Sequence, residues 1–266
     1  MNPLDYLDQP VRDRVTFSDF AEKPFTAFLT QAVHLTDSFN SCIRHFQRKP
    51  KRRTEFTKDS VHSMHEIAPL ILASLMSNLE LFQRSLFARL IDLTQEIPDY
   101  SVSELEKKLR DNRLNFSIGS LLGYRGTAAA AGQIICSALS GWQNPRKVNE
   151  YSQMFFNIDK MYSEDICKKL CILWQLRHCI VHTGGTITTP DSQKLESLKL
   201  YGGRAAVFRH QFVRATVIDF HRILKEVRDD YCIRVRGRFG DAYRGDLKCR
   251  LDNLFSLDSP RKSWLK

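Results

Sequence analysis

Several common kinds of catalytic apparatus have no counterpart in this chain of 266 residues. There is no phosphate-cradling glycine loop, no Gly-x-Gly-x-x-Gly and no His-Glu-x-x-His. No serine stands in a Gly-x-Ser-x-Gly elbow, and carboxylates at a useful catalytic spacing are missing. Each absence removes a class: nucleotide-triphosphate hydrolysis on a P-loop, dinucleotide redox chemistry, zinc proteolysis and serine hydrolysis. No apolar run reaches the length of about 18 residues that a membrane helix needs. The opening Met1-Asn2-Pro3-Leu4-Asp5 carries no secretory pattern. The seven cysteines are odd in number and scattered, which argues for a reducing, cytoplasmic setting rather than a disulfide framework. Cys167 and Cys171 are four apart, but no second pair at metal-ligand spacing accompanies them. A structural zinc site takes four ligands, so no metal and no cofactor is expected.

What the chain does have is a concentrated positive charge. Arg44, Arg48, Lys49, Lys51, Arg52 and Arg53 place +6 within residues 44–53. Arg234, Arg236, Arg238, Arg244, Lys248 and Arg250, less Asp241 and Asp246, place +4 within 234–250. Together the two segments account for the whole net charge of +10. Localised positive charge is what a polyanion binder presents, so Arg44, Arg48, Lys51, Arg52, Arg53, Arg234, Arg236 and Arg238 are candidate RNA contacts. Phe46, Phe56, Phe239 and Tyr243 lie among these charges and could stack on unpaired bases. The competing reading is a solvated loop and tail that aid solubility.

Periodicity is helical almost throughout. Residues 17–47 read as one or two helices. A long stripe of Leu72, Leu75, Met76, Leu79, Phe82, Leu86, Phe87, Leu90 and Leu93 runs through 61–95, with Pro69 expected at the start of its main segment. Ser101 or Ser103 caps a short helix to Leu109, and the Ala-rich 127–141 reads as a buried helix. Asn144-Pro145 opens another helix over 145–157. After a loop at 183–192, a small β-hairpin is expected to turn on Gly202-Gly203 between 198–201 and 205–208. Residues 209–230 form a last amphipathic helix, and little periodicity follows it. The division expected is an N-terminal helical extension with its basic segment (1–60), a helical domain (61–235) and a basic tail (236–266).

Between the Asn144 helix and the loop lies the most informative segment, Leu176-Arg177-His178-Cys179-Ile180-Val181-His182-Thr183-Gly184-Gly185. Ser163 is a natural N-cap, Glu164 and Asp165 complement the first turn, and the glycine pair supplies a left-handed stop. Ile166, Leu170, Leu173, Leu176, Ile180 and Val181 fall on one arc, which is expected to be buried, with Arg177 inside it. A guanidinium on an apolar stripe is costly unless it is paired or faces a partner or ligand. Either a buried structural arginine or a functional one satisfies that pattern. His178 and His182, four apart, adjoin each other on the neighbouring edge.

Arg177-His178-Cys179-Ile180-Val181-His182, with Gly184-Gly185 behind, resembles the signature of the HEPN superfamily. That signature is an arginine, a polar residue and, after four to six intervening positions, a histidine at a helix end. Glu80-Leu81-Phe82-Gln83-Arg84 matches the family's Glu-x-x-x-Lys/Arg element on an earlier helix, although such a pair is also an ordinary helical ion pair. The resemblance covers about residues 61–235. It implies a mainly α, HEPN-type bundle, here with extra N-terminal helices, and a metal-independent endoribonuclease. Arg177, His178 and His182 would be catalytic, with Glu80 and Arg84 supporting them. It further implies a homodimer with a composite site and a role in defence or as a toxin under an inhibitory or activating protein partner. The tyrosine that some HEPN toxins carry two or three residues after the histidine is replaced here by Gly184 and Gly185, so regulation through that tyrosine is not expected. The alternative is a catalytically silent HEPN-like module that binds RNA or a nucleotide, or scaffolds a partner.

Overall fold

A computed structural model describes residues 14–46, 56–111, 130–258, 260 and 262–265; the side chain of Phe46 is not among them. The chain is mainly helical. Helices α1 (Phe17–Glu22) and α2 (Pro24–Phe46) lead to the long α3 (Lys58–Asp92). Helices α4 (Val102–Asp111), α5 (Ala131–Ala138) and α6 (Pro145–Phe156) follow. Next come α7 (Glu164–His182), strand β1 (Thr186–Ile187), the short α8 (Thr189–Gln193) and strand β2 (Arg204–Ala205). Helices α9 (Phe212–Phe239) and α10 (Gly245–Leu254) complete the fold.

Helix α3 is the spine, with α2, α5, α7 and α9 packed along it. All nine residues of the expected stripe, from Leu72 to Leu93, are buried. Pro69 does not start the helix but sits inside it. It leaves the His65 carbonyl without an amide donor, a loss tolerated where tertiary packing holds the helix on both sides. Phe25 and Phe28 of α2 close on Phe82 with ring centroids 4.8 and 5.9 Å apart, and Phe28 meets Phe220 of α9 at 5.3 Å. Phe87, Trp142 and Tyr151 form a second aromatic chain from α3 to α6. Burial of these rings, with the aliphatic residues around them, drives association of the helices.

Glycine matters most at Gly132. A Cβ there would stand 1.9 Å from the Ala88 carbonyl oxygen, so only glycine lets α5 approach α3 this closely. The Gly132 amide also donates to Asp92 Oδ1 at 2.7 Å. The Ala-rich helix is shorter than the expected 127–141, covering Ala131–Ala138, and residues 112–129 lie outside the described set.

Three expectations are corrected at the C-terminal side. The last helix runs to Phe239 rather than to residue 230. The residues beyond it are also ordered into α10, whose Leu247, Leu251 and Leu254 are buried, and Phe255 lies 5.6 Å from Phe25. The expected hairpin between 198–201 and 205–208 is not formed. Residues Glu196–Tyr201 make 3-10 turns, and β2 pairs antiparallel with β1, Thr186 opposite Ala205 and Ile187 opposite Arg204. Local alternation cannot reveal that pairing, because the partner strand lies across an intervening helix.

Candidate functional site

Helix α7 starts and stops where its sequence signals place it. Ser163 Oγ accepts the Ile166 amide at the N-terminus. At the other end Thr183 and Gly185 both donate to the Cys179 carbonyl at 3.0 Å, with φ of 61° at Gly184 and 82° at Gly185. Its burial differs from the expected single arc. Ile166, Cys167, Leu170 and Trp174 are buried in the main core. Cys179, on another side of the helix, is buried in a small separate cluster with Ile187 and Ala206 of the β-ribbon. Positions 170, 174, 177 and 181 therefore make a stripe that leaves the core as it advances. Leu170 and Trp174 are buried, Arg177 is half-buried, and Val181 is 49% exposed.

Arg177 takes no hydrogen bond or ion pair among the described residues, and its Nε is buried without an acceptor. Desolvating a guanidinium nitrogen without an acceptor is unfavourable, so the position calls for a partner or ligand. His178 and His182 do come together, with ring centroids 4.8 Å apart and planes inclined at 43°. Arg177 and His182 do not share a face, since five positions turn a helix by about 140°. Glu80 pairs with Arg84 at 3.9 Å and accepts from Gln143 Nε2 at 3.2 Å. No described ion pair joins either residue to Arg177, so their supporting role is local to α3 and the turn before α6.

Beneath His178 lies a carboxylate that the sequence reading passed over as loop. Asp191, on α8, is 5% exposed. Its Oδ2 accepts from Thr188 Oγ1 at 2.7 Å, and its Oδ1 accepts from Lys194 Nζ at 2.7 Å and from Gln175 Nε2 of α7 at 3.1 Å. His178 Nε2 stands 3.8 Å from the same Oδ1, an electrostatic approach rather than a hydrogen bond. The Lys194 ammonium and the Thr188 hydroxyl pull the Asp191 carboxyl down to about 2, so it is ionised at neutral pH. A local signal existed. Thr188-Thr189-Pro190-Asp191 reads as an N-cap threonine, an early proline and an acid at the third helical position, and Thr188 Oγ1 does accept the Asp191 amide.

The candidate RNA contacts divide. Arg44 is exposed near the end of α2. Arg48, Lys51, Arg52 and Arg53 lie outside the described residues. Arg234, Arg236 and Arg238 on α9 are each paired, with Asp230 at 2.5 Å, Asp252 at 2.6 Å and Asp99 at 3.2 Å. Of the aromatic residues expected to stack on bases, Phe239 is instead a buried core residue. Tyr243 donates to Asp252 beneath Arg236, and Phe56 leans on His210. On α9, Arg234 and Arg238, four apart, share a face and Arg236 points to the opposite side, and acids on or near each side reach them.

Among the described residues no group of three histidine, cysteine or acidic side chains is disposed to hold a metal, and no helix is long and apolar enough to cross a membrane. Compared with known proteins, the chain matches no family model, no curated protein and no solved structure.

Proposed function

We propose that this protein is a metal-independent endoribonuclease of the HEPN type. The observation that carries the reading is the end of α7: two histidine rings 4.8 Å apart at the surface, the first of them next in sequence to an arginine with no acid partner among the described residues. Transesterification of RNA needs those group types. The ribose 2′-oxygen attacks the adjacent phosphorus and loses its proton to an imidazole. The bond from phosphorus to the 5′-oxygen breaks, and that oxygen takes a proton. The products are a 2′,3′-cyclic phosphate and a 5′-hydroxyl. His182 serves as proton acceptor or donor, since imidazole is the side chain suited to proton transfer near neutrality. His178 shares the transfer or orients substrate. Arg177 binds the phosphate and stabilises its developing charge.

Arg177 and Val181 emerge together at the edge of the core, which supports a second copy packing on this stripe and bringing Arg177 of one chain toward the histidines of the other. Defence or toxin activity under a regulating protein follows from the family resemblance alone.

The test is incubation with mixed RNA in EDTA, beside His182→Ala. Fragments ending in cyclic phosphate, lost in the variant, are the expected result; cleavage equal in both proteins would sink the site. One observation favours a second reading, a silent RNA-binding module: no hydrogen bond among the described residues fixes the His182 ring. That module would bind RNA with steep salt dependence and give no product.

A further inference from the structure

The cluster around Asp191 holds more than its acid. Asp191 is buried and its oxygens are occupied by Thr188, Gln175 and Lys194, whereas the groups around it are open: His178 is 44% exposed, Lys194 52%, and His182 is exposed. A ligand arriving at this face therefore meets two imidazoles and an ammonium, with the carboxylate behind them. Lys194 Nζ and His178 Nε2 both approach the one oxygen Asp191 Oδ1, at 2.7 and 3.8 Å, so one anchor holds the ammonium beside the imidazole. Gln175 ties that anchor to α7 itself and Thr188 ties it to the start of α8, so it does not depend on the flexible reach of the lysine.

Three donors on one exposed face, backed by a fixed negative charge, suit a tetrahedral dianion or a phosphodiester. We propose that Lys194 is a phosphate-binding residue of the histidine site, and that Asp191 is the positioning residue that holds it beside His178. The proposal rests on the ribonuclease reading for its chemistry and adds to it a cation contributed by the same chain. The histidine face then binds the scissile phosphate before Arg177 is brought to it.

Binding is tested apart from cleavage. Cytidine 3′-monophosphate and, separately, inorganic phosphate are titrated into the full chain while the ring resonances of His178 and His182 are followed by NMR. Both probes are expected to move both rings. Lys194→Ala should weaken the nucleotide about tenfold, the usual order for one charged hydrogen bond, and Lys194→Arg should restore most of it. Asp191→Asn keeps the shape of the anchor; it should weaken nucleotide binding and raise KM for RNA while kcat changes little, with thermal unfolding monitored to show that the fold is intact. If nucleotide binding is unchanged in Lys194→Ala, or if neither probe moves the rings of the wild-type protein, the proposal is overturned. Phosphate binding that depends on Lys194, in a protein that cleaves no RNA, would uphold the proposal and overturn the ribonuclease reading alone.

Discussion

Arg177 and the arginines of α9 are the same side chain in opposite circumstances. Arg234, Arg236 and Arg238 each have a carboxylate within 3.2 Å, two of them from elsewhere in the chain. Arg177 is half-buried on an apolar stripe and has none among the described residues. The difference teaches that a count of cations in a segment is a poor guide to the charge a ligand meets. The +4 of residues 234–250 is largely answered by Asp230, Asp252 and Asp99, none of which lies in that segment. Arg177, at the edge of the core, has its Nε buried with no acceptor among the described residues and is left needing an anion.

The comparison makes Arg177→Ala the most damaging change to function. It and His182→Ala should each reduce RNA cleavage by about 100-fold or more, the range for loss of transition-state charge stabilisation or of general acid–base catalysis. Thermal unfolding should stay close to wild type. If cleavage survived Arg177→Ala in a folded protein, the contrast between the two sets of arginines would lose its functional meaning.

Gly132→Ala provides the opposite signature, a loss from packing alone. A methyl group 1.9 Å from the Ala88 carbonyl forces α5 away from α3 and should cost about 1–3 kcal/mol in denaturant unfolding, with catalysis per folded molecule unchanged. A stability equal to wild type would mean the two helices can separate freely.

The α9 arginines should behave as structural pairs. Asp252→Asn removes the acceptor shared by Arg236 and Tyr243, and should destabilise by about 0.5–1 kcal/mol, since both members of the ion pair are partly exposed. The same substitution frees Arg236, so RNA affinity at low salt should rise slightly, with a steeper salt slope. A fall in affinity would show that Asp252 aims Arg236 at the ligand rather than occupying it.

The smallest effect expected is on acid stability. The Asp191 carboxyl titrates at about 2 in the folded protein against an ordinary 3.8, so the folded state binds its proton less readily than the unfolded chain. Its stabilising contribution is complete above about pH 4 and is lost as pH falls through that value toward 2. Asp191→Asn should remove this part of the acid dependence in urea unfolding at stepped pH. Identical acid profiles for the two proteins would place the Asp191 bonds outside the stability of the fold.

Much of the helical frame was legible locally. Ser163, Ser101 and Asn144 each accept an amide at the helix start their position announces, and the stripe from Leu72 to Leu93 is buried without exception. Of the site, the pairing of His178 with His182 was legible, because four residues bring side chains together on any helix. The exposure of Val181 was not, since periodicity gives the direction of a side chain and not what lies opposite it.

The sequence by itself determined where α7 begins and ends, which residues its last turns carry, and the order in which arginine and histidines appear. Hydrogen-bonded caps and a 3.6-residue period act over a few positions and need no distant partner. Only the tertiary structure decided that the main core ends before Arg177, that Asp191 and Lys194 return beneath His178, and that the α9 arginines are already matched by acids. Those outcomes depend on contacts between segments far apart in the chain, where charge and burial are set by what packs nearby and not by what is adjacent in sequence.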